Sequence, residues 1–267
     1  MEEKYFTFHE SSLRRWIRRG LNLSVLFRQK LRIPTRPLGP PDWVATPHST
    51  EWAREPSFAA AYEAAVREVG DDYRIPWRIN LLAWGSAQTA NLVGDIVELG
   101  TGRGFSMTAI THYLDFRGSS SRNIWCFDVF LHHAESGLGD AVHATAYASG
   151  LGDITPTLRH WDSVKLVRGD VRHTLHEFAP EQISLLHVDL NDPDTESWAI
   201  RLLWPRIVQG GLVILDDYAN FGMEKSRSII FGLSRELGFE ILTLPSGQGL
   251  VMKQSDRASG LESGLIA

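Results

Sequence analysis

The chain has 267 residues and carries 27 Lys and Arg against 32 Asp and Glu, which gives a formal net charge of −5. Its hydrophobic (43%) and charged (22%) fractions are those of a globular protein, so wholesale disorder and fibrous repeats are excluded. The mild acidity argues against general binding of nucleic acid. The single cysteine, Cys126, excludes an internal disulfide and a multi-thiolate zinc site, and it favours a reducing, cytoplasmic location. No apolar run reaches the roughly 18 residues that a membrane span needs, so we expect no transmembrane segment.

The N-terminal region differs from this average, because residues 13–33 contain seven basic residues and no acidic one. Apolar residues recur there at roughly helical spacing, which predicts a basic amphipathic helix interrupted near Gly20. We favour a helix packed on the domain or across the interface of a homo-oligomer. The alternative is peripheral docking on an anionic membrane surface. Five prolines between residues 34 and 47 then predict a linker or a wrapping arm.

The rest of the chain predicts an α/β fold. Helices are expected at 56–69 and 77–93, and from residue 95 onward short apolar runs alternate with helical segments. Such runs are typical of parallel strands buried on both faces of a sheet. The last two runs are joined by only PSGQ and should pair as an antiparallel hairpin. The prediction is a doubly wound, mainly parallel seven-stranded sheet, with an antiparallel C-terminal hairpin and an N-terminal helical extension.

Three segments of the chain follow from these patterns. Residues 1–50 form the basic helix and the Pro-rich arm, residues 51–255 form the main domain, and residues 256–267 form a flexible tail.

The first predicted strand runs into a glycine-rich turn, VELGTGRGFS. Gly100, Gly102 and Gly104 permit a tight turn in which the backbone approaches a ligand closely, and the next helix would point its N-terminal N–H groups at that ligand. Phe105 stands where a dinucleotide fingerprint has its third glycine, which disfavours a nicotinamide cofactor. Glu98 suits an ammonium group better than a pyrophosphate. The alternative is a plain strand-to-helix turn.

Acidic residues also end the second and third strands. Asp128 can accept both hydroxyls of a ribose; its alternatives are a helix cap or a solvated loop acid. Asp170 can reach an adenine amino group, with Val171 covering the ring. Asp170 is an equally good N-cap for the helix that follows.

The fourth and fifth strands end in the most informative residues. Asp189 can face one or both of Asp216 and Asp217 across the strand ends, because neighbouring strands lie about 4.8 Å apart. Clustered carboxylates repel one another unless a proton or a cation neutralises them, and Mg²⁺ prefers oxygen ligands, to which Asn191 could add a neutral one. The alternative is that one of the adjacent aspartates caps a helix. His187, inside an apolar strand, is more often a core residue than a catalyst.

Taken together, VELGTGRGFS, FDVF, RGDV, HVDLN and GGLVILDDY resemble the class I S-adenosylmethionine-dependent methyltransferases over about residues 75–253. Within that superfamily the chain is most similar to the macrocin O-methyltransferase family, the metal-dependent sugar O-methyltransferases of antibiotic biosynthesis. The features that carry this resemblance are Arg103 in the glycine turn, the HVD of the fourth strand, the WPRIVQGG segment before the fifth strand and the DDY that ends it.

The resemblance implies which residues bind the cofactor and the metal. Asp128 would bind the ribose, Asp170 and Val171 would lie at the adenine, and Mg²⁺ would be held by Asp189, Asp216 and Asp217. The remaining S-adenosylmethionine contacts would come from Glu98, Gly100, Thr101, Gly102, Gly104 and Ser106. Many relatives have a second acidic residue where this chain has Asn191, and the segment FDVFLHH lacks their acidic-glycine continuation, so the acceptor is expected to differ from the antibiotic sugars.

The expected function is S-adenosylmethionine-dependent, Mg²⁺-dependent O-methylation of a hydroxyl on a sugar or glycosylated small molecule. Asp189 would be both metal ligand and general base, with His187 as the second choice of base. The alternatives are a metal-independent methyltransferase with a different acceptor, a nicotinamide oxidoreductase, and a non-enzymatic binding protein that acts through its basic N-terminal helix. The loop at 130–160 and the N-terminal arm should determine acceptor specificity.

Overall fold

The computed structural model describes residues 42, 44, 46, 48–118, 122–130, 158 and 161–255. They form a seven-stranded sheet of order β3-β2-β1-β4-β5-β7-β6. The strands are β1 Asp95–Leu99, β2 Ile124–Asp128, β3 Val164–Arg168, β4 Ile183–Val188, β5 Ile207–Leu215, β6 Leu242–Thr243 and β7 Gly249–Met252. The first five run parallel, while β7 lies antiparallel between β5 and β6. The predicted mainly parallel sheet with an antiparallel C-terminal pair is therefore confirmed.

Six α-helices and two short 3₁₀ helices accompany the described strands. The α-helices are α1 Pro56–Val69, α2 Pro76–Gln88, α3 Phe105–Phe116, α4 Val171–Phe178, α5 Pro193–Leu203 and α6 Glu224–Leu237; the 3₁₀ helices are Glu51–Arg54 and Trp204–Arg206. Three α-helices begin at a proline, whose missing N–H would have no partner in the first turn. α1 and α6 end before Gly70 and Gly238, both left-handed, which lets the chain turn away without strain.

The second helix ends five residues earlier than the sequence predicts, at Gln88 instead of residue 93. The Thr89 hydroxyl donates to the Gly85 carbonyl (2.9 Å), and the Arg122 guanidinium donates to the carbonyls of Ser86 (2.7 Å) and Thr89 (3.1 Å). The open carbonyls of the last turn are thus satisfied by a side chain from outside the helix, so α2 can stop without a glycine.

Side chains of successive strand residues pack into two buried clusters, one on each face of the sheet. Ile96 and Leu185 pack with α1, α2 and α3, whereas their neighbours Val97 and Leu186 pack with residues of α4, α5 and α6. Both faces of the parallel strands are therefore covered, and the edge at the carboxyl ends is left for polar residues.

Several predictions of the N-terminal and loop regions are not tested. The basic helix at 13–33, the tail at 256–267 and most of the 130–160 loop lie outside the described residues. Asp42, from the predicted arm, is buried and accepts a hydrogen bond from the Trp77 backbone N–H (2.7 Å), so this point of the arm contacts the start of α2. Within the described part of the chain, no helix has the length and apolar character needed to cross a membrane.

Candidate active site

The glycine turn after β1 lies directly against the end of β4. Gly100 has φ +88°, and a Cβ added to it would lie 1.9 Å from the Asp189 carbonyl oxygen. Gly102 (φ +54°) and Gly104 (φ +80°) also lie in the left-handed region, and Gly104 is the N-cap of α3. Glycine is therefore required at position 100 for two strand ends to touch, and the turn then leads into the N-terminus of a helix.

Asp128 connects the end of β2 to this turn. Its Oδ2 accepts a hydrogen bond from Gly102 N (2.8 Å) and its Oδ1 accepts one from Phe130 N (3.0 Å). Each carboxylate oxygen retains a second lone pair, so the pair can still accept ligand hydroxyls. This position fits the ribose-binding role implied by the sequence, which stays a prediction.

The two residues expected near the adenine have contacts within the protein, and two further residues of the turn are at least partly buried. Asp170 is the N-cap of α4, because its Oδ1 accepts from Arg172 N (2.8 Å), and Val171 is buried in one of the two core clusters. Thr101 is buried and Ser106 is half-buried. The capping interpretation of Asp170 thus matches the described geometry, and the adenine contacts remain predictions.

The buried His187 ring lies between two carboxylates. Its Nδ1 lies 3.0 Å from Glu98 Oε1, on the neighbouring strand β1, and its Nε2 lies 3.5 Å from Asp216 Oδ1. Burial alone would lower the pKa of His187, but the two carboxylates outweigh burial and raise it to about 10. Glu98 Oε2 is buried and has no hydrogen-bond partner among the described residues. An ammonium group would satisfy it, as the sequence predicts for Glu98.

Asp189, Asp216 and Asp217 come together as predicted. One carboxylate oxygen from each lies within 4.8 Å of the others. Asp216 and Asp217 follow the last residue of β5, Leu215, and stand in a turn. Because they are no longer on a pleated strand, these adjacent side chains can face the same cavity. Neither of them caps a helix of the described structure, so that alternative interpretation was wrong.

The charges of these three carboxyl groups are strongly perturbed. Burial and the nearby Asp216 carboxylate raise the pKa of Asp189 well above its usual range. Burial would also raise the pKa of Asp216, but His187 and Arg78 outweigh it and lower the pKa to about 2. A cation placed among these groups would lower the pKa of Asp189, because it would offset both the burial of the carboxyl group and the repulsion from Asp216.

Sequence reasoning missed Arg78, in the first turn of α2. Its Nη1 donates to Asp216 Oδ2, to Asp217 Oδ1 (3.0 Å) and to the Asp216 carbonyl (3.1 Å). Burial lowers the pKa of Arg78, but the two aspartates outweigh it and raise the pKa above its usual value. Arg78 precedes Asp216 by 138 residues and lies in an ordinary helical segment, so the sequence carries no signal for this contact.

Three polar side chains hold the acidic residues in position. Gln248 Nε2 donates to Asp216 Oδ1 (2.9 Å), and Asn191 Nδ2 donates to Asp189 Oδ1 (3.2 Å). Glu196 Oε1 accepts from the backbone N–H groups of Leu190 and Asn191 (3.1 Å each), so it fixes the loop after Asp189. The Asn191 amide nitrogen thus contacts the cluster, and the contribution of its oxygen to a metal site stays a prediction.

A cavity of about 980 Å³ opens over the acidic cluster. Its lining also includes Asp42, Tyr73, Arg103 and Phe221. The family-like Arg103 is anchored at the end of α1, because it donates to the Val69 carbonyl (2.7 Å). The cavity therefore combines carboxylates with aromatic walls, as expected for a site that holds a small polar molecule.

The donor set fits a hard divalent cation. Oxygens bound to one Mg²⁺ are at most about 4.2 Å apart, so three oxygens within 4.8 Å need little movement to share an ion. The cluster has more carboxylates than cationic side chains, and all-oxygen ligation is what Mg²⁺ prefers. In the described structure, however, the Arg78 guanidinium contacts two of the three carboxylates.

Comparison with known proteins finds that part of the chain is similar to methyltransferases. Residues 97–218 match the family described as a methyltransferase domain. Over 139 residues the chain is 27% identical to the 8-demethyl-8-(2,3-dimethoxy-alpha-L-rhamnosyl)-tetracenomycin-C 4'-O-methyltransferase of Streptomyces olivaceus, a match that covers 47% of this chain and 53% of that protein. The chain thus spans about half the length of this curated relative.

Solved structures show the same fold. The O-methyltransferase NovP aligns with a TM-score of 0.59 at 18% identity, over 72% of this chain and 88% of that one. A calicheamicin methyltransferase aligns with a TM-score of 0.50 at 16% identity, over 74% and 93% of the two chains. The predicted class I methyltransferase fold is confirmed.

Proposed function

We propose that this chain, which carries a methyltransferase domain of the class I fold, transfers the methyl group of S-adenosylmethionine to a hydroxyl of a sugar or glycosylated small molecule with the help of Mg²⁺. The observation that carries the proposal is the contact between the glycine turn and Asp189. It joins a turn suited to the cofactor to a cluster of carboxylates suited to a metal, within one edge of the sheet.

The reaction is a displacement in which the hydroxyl oxygen forms a bond to the methyl carbon as the bond from that carbon to sulfur breaks. The sulfonium becomes a neutral thioether, and the hydroxyl proton must leave. Mg²⁺, when bound by Asp189, Asp216 and Asp217, would lower the pKa of an acceptor hydroxyl. The chain's own residues align the reactants and accept the proton, and alignment alone can contribute several kcal/mol, on the order of 7.

Asp189 is the better of the two candidate bases. It lines the cavity, whereas the His187 side chain is only 2% exposed and both its ring nitrogens face carboxylates. A general base must reach the proton that it removes, so geometry favours Asp189. His187 instead holds Asp216 and Glu98 in place, and the second choice of base made from the sequence has the weaker support.

The acceptor class is supported by the curated relative, whose name describes O-methylation of a rhamnosylated tetracenomycin. Aromatic residues of the cavity, Tyr73 and Phe221, are suited to the apolar face of a sugar or to an attached ring. A second candidate, metal-independent methyl transfer, is favoured by one observation: Arg78 already supplies a positive charge to Asp216 and Asp217.

The test is a methyl-transfer assay with labelled S-adenosylmethionine and a panel of rhamnosylated and otherwise glycosylated aromatic compounds. We expect methylated product with Mg²⁺, loss of the activity in EDTA and recovery when Mg²⁺ is restored. Unchanged activity in EDTA would favour the metal-independent candidate.

The same assay tests whether Asp189 is the general base. Asp189→Asn should reduce kcat at least about 100-fold. The matched control is Asp194→Asn, an exposed acid of α5 with 68% of its side chain accessible, which should keep wild-type turnover. Near-normal turnover in Asp189→Asn would overturn the assignment.

A further inference from the structure

A single nitrogen atom contacts both adjacent carboxylates of the acidic cluster. Arg78 Nη1 donates to Asp216 and to Asp217, and the Arg78 side chain is only 11% exposed. A carboxylate oxygen that accepts a hydrogen bond from a guanidinium is a poor ligand for a divalent ion. The guanidinium and the metal ion would both lie next to that oxygen and would repel each other. A metal ion can therefore use these oxygens fully only if the guanidinium moves.

A third carboxylate, that of Asp42, lies beside the same arginine. Asp42 Oδ1 lies 4.0 Å from Arg78 Nε, it is buried, and it has no hydrogen-bond partner among the described residues. A buried carboxylate oxygen without a donor is costly, so this atom can gain from a guanidinium that approaches more closely.

The position of Asp42 is independent of the guanidinium. Its other oxygen, Oδ2, accepts from the backbone N–H of Trp77, the residue immediately before Arg78. Asp42 is therefore fixed relative to the backbone of α2 and stays in place when the Arg78 side chain changes rotamer. Asp42, Arg78 and the acidic cluster line one cavity of about 980 Å³, which leaves room for that change.

We propose that Arg78 is an internal counter-ion that holds Asp216 and Asp217 until a divalent metal binds and then pairs with Asp42. The inference rests on the proposed Mg²⁺ site and adds a residue that controls its affinity. Metal binding must break the contacts of Arg78 with the two aspartates, which weakens the apparent affinity for Mg²⁺. The new contact with Asp42 offsets part of that cost. The position of the guanidinium in the acceptor cavity is then coupled to the presence of the metal.

The test is a calorimetric titration of the full chain with Mg²⁺ alone, which needs no acceptor and no turnover. Arg78→Met removes the competing cation and should bind Mg²⁺ at least about tenfold more tightly than wild type, equal to about 1.4 kcal/mol. Asp42→Asn removes the charge that receives the displaced guanidinium and should bind Mg²⁺ about threefold or more weakly. Arg67→Met, which deletes the same charge from a side chain of α1 that is 68% exposed, is the matched control and should change the affinity less than twofold.

A thermal melt checks that Arg78→Met folds, since removal of the guanidinium leaves the aspartates unneutralised. We expect a lower Tm than wild type without metal and a larger rise in Tm when Mg²⁺ is added. If Arg78→Met is too unstable to titrate without metal, Arg78→Lys takes its place. Lysine keeps the charge but carries it on a compact ammonium group at the end of a flexible chain. Arg78→Lys should therefore bind Mg²⁺ more tightly than wild type and less tightly than Arg78→Met.

The outcomes separate this inference from the proposed function. Equal Mg²⁺ affinity in wild type and in the folded Arg78 variants would overturn the counter-ion role and leave the metal site intact. Binding that appears only in the Arg78 variants would support it. No Mg²⁺ binding in any variant would overturn both the metal site and the inference that rests on it.

Discussion

The two halves of the sheet edge differ in how far along the chain their contacts reach. In the cofactor half, at the ends of β1, β2 and β3, Asp128 binds Gly102 and Phe130, which are 26 and 2 residues away. In the acidic half, at the ends of β4 and β5, Asp216 binds Gln248 and Arg78, which are 32 and 138 residues away. The contacts of Asp128 thus join residues of two neighbouring motifs, whereas the contact of Asp216 with Arg78 joins charges that only the complete fold brings together.

The two halves also differ in electrostatics. In the cofactor half, Asp128 and Asp170 accept hydrogen bonds from backbone N–H groups, whereas Glu98 contacts His187 of β4. The acidic half places buried carboxylates beside one another and compensates them with Arg78 and His187. We expect the first half to tolerate loss of the metal and the second to respond to it.

The largest effect is expected where the two halves touch. In Gly100→Ala the new Cβ would lie 1.9 Å from the Asp189 carbonyl oxygen, so the ends of β1 and β4 must separate. We expect a loss of at least about 3 kcal/mol in the free energy of unfolding, measured by denaturant titration, because strained backbone and a backbone clash act together.

Gly102→Ala is the control for Gly100→Ala. Gly102 is also left-handed, but nothing lies within 4 Å of the Cβ it would gain. Gly102→Ala should therefore lower the free energy of unfolding by only about 1 kcal/mol, the cost of holding alanine in a left-handed conformation. Equal losses in the two variants would mean that the contact between the halves does not matter for stability.

A smaller effect, confined to the acidic half, is expected from Glu196→Ala. The substitution removes the acceptor of the Leu190 and Asn191 N–H groups, so the loop that holds Asp189 loosens. Methyl transfer should fall between about 10- and 100-fold, as expected for a misplaced catalytic group. Affinity for S-adenosylhomocysteine should stay within about twofold of wild type.

Glu196→Gln separates position from charge, since the amide oxygen can still accept these hydrogen bonds. It should recover most of the activity that Glu196→Ala loses. If Glu196→Ala weakens S-adenosylhomocysteine binding as much as it slows turnover, the two halves are not separable in the way described.

The smallest effect concerns the pH dependence of stability. Burial raises the pKa of Asp42 to about 6, against the opposing effects of the Trp77 N–H and Arg78. The folded state then holds this proton more tightly than the unfolded state, so the contribution of Asp42 to stability is greatest below about pH 4 and is lost as the pH rises to about 6. Above that pH it stays constant.

Asp42→Asn should remove this dependence. The difference in unfolding free energy between wild type and Asp42→Asn should change by an amount on the order of 1 kcal/mol between pH 4 and pH 6.5. A difference that is flat across this range would show that Asp42 is not buried in the way described.

The two halves of the sheet edge also differ in how much of each could be predicted from the sequence. The strands, the glycine turn and the carboxylates Asp128, Asp189 and Asp216 could all be found, because hydrophobic runs mark strands and parallel strands end at one edge. Arg78 and Asp42 could not, since neither belongs to a motif and their partners lie in other segments. The predicted end of α2 was wrong for a related reason. Arg122, which follows the next strand and helix in the chain, satisfies the last carbonyls of α2. Local sequence patterns determine the helices, the strands and the strand ends. The partners that neutralise the buried carboxylates depend on long-range packing.

The central claim is that one edge of the sheet holds a cofactor half and an acidic half with separate tasks. The most direct measurement is a calorimetric titration with S-adenosylhomocysteine of wild type, Asp128→Ala and Asp189→Asn. We expect micromolar binding in wild type, a loss of at least about tenfold in Asp128→Ala, and affinity within about twofold of wild type in Asp189→Asn. Equal losses in the two variants, or no binding in wild type at millimolar ligand, would contradict the account.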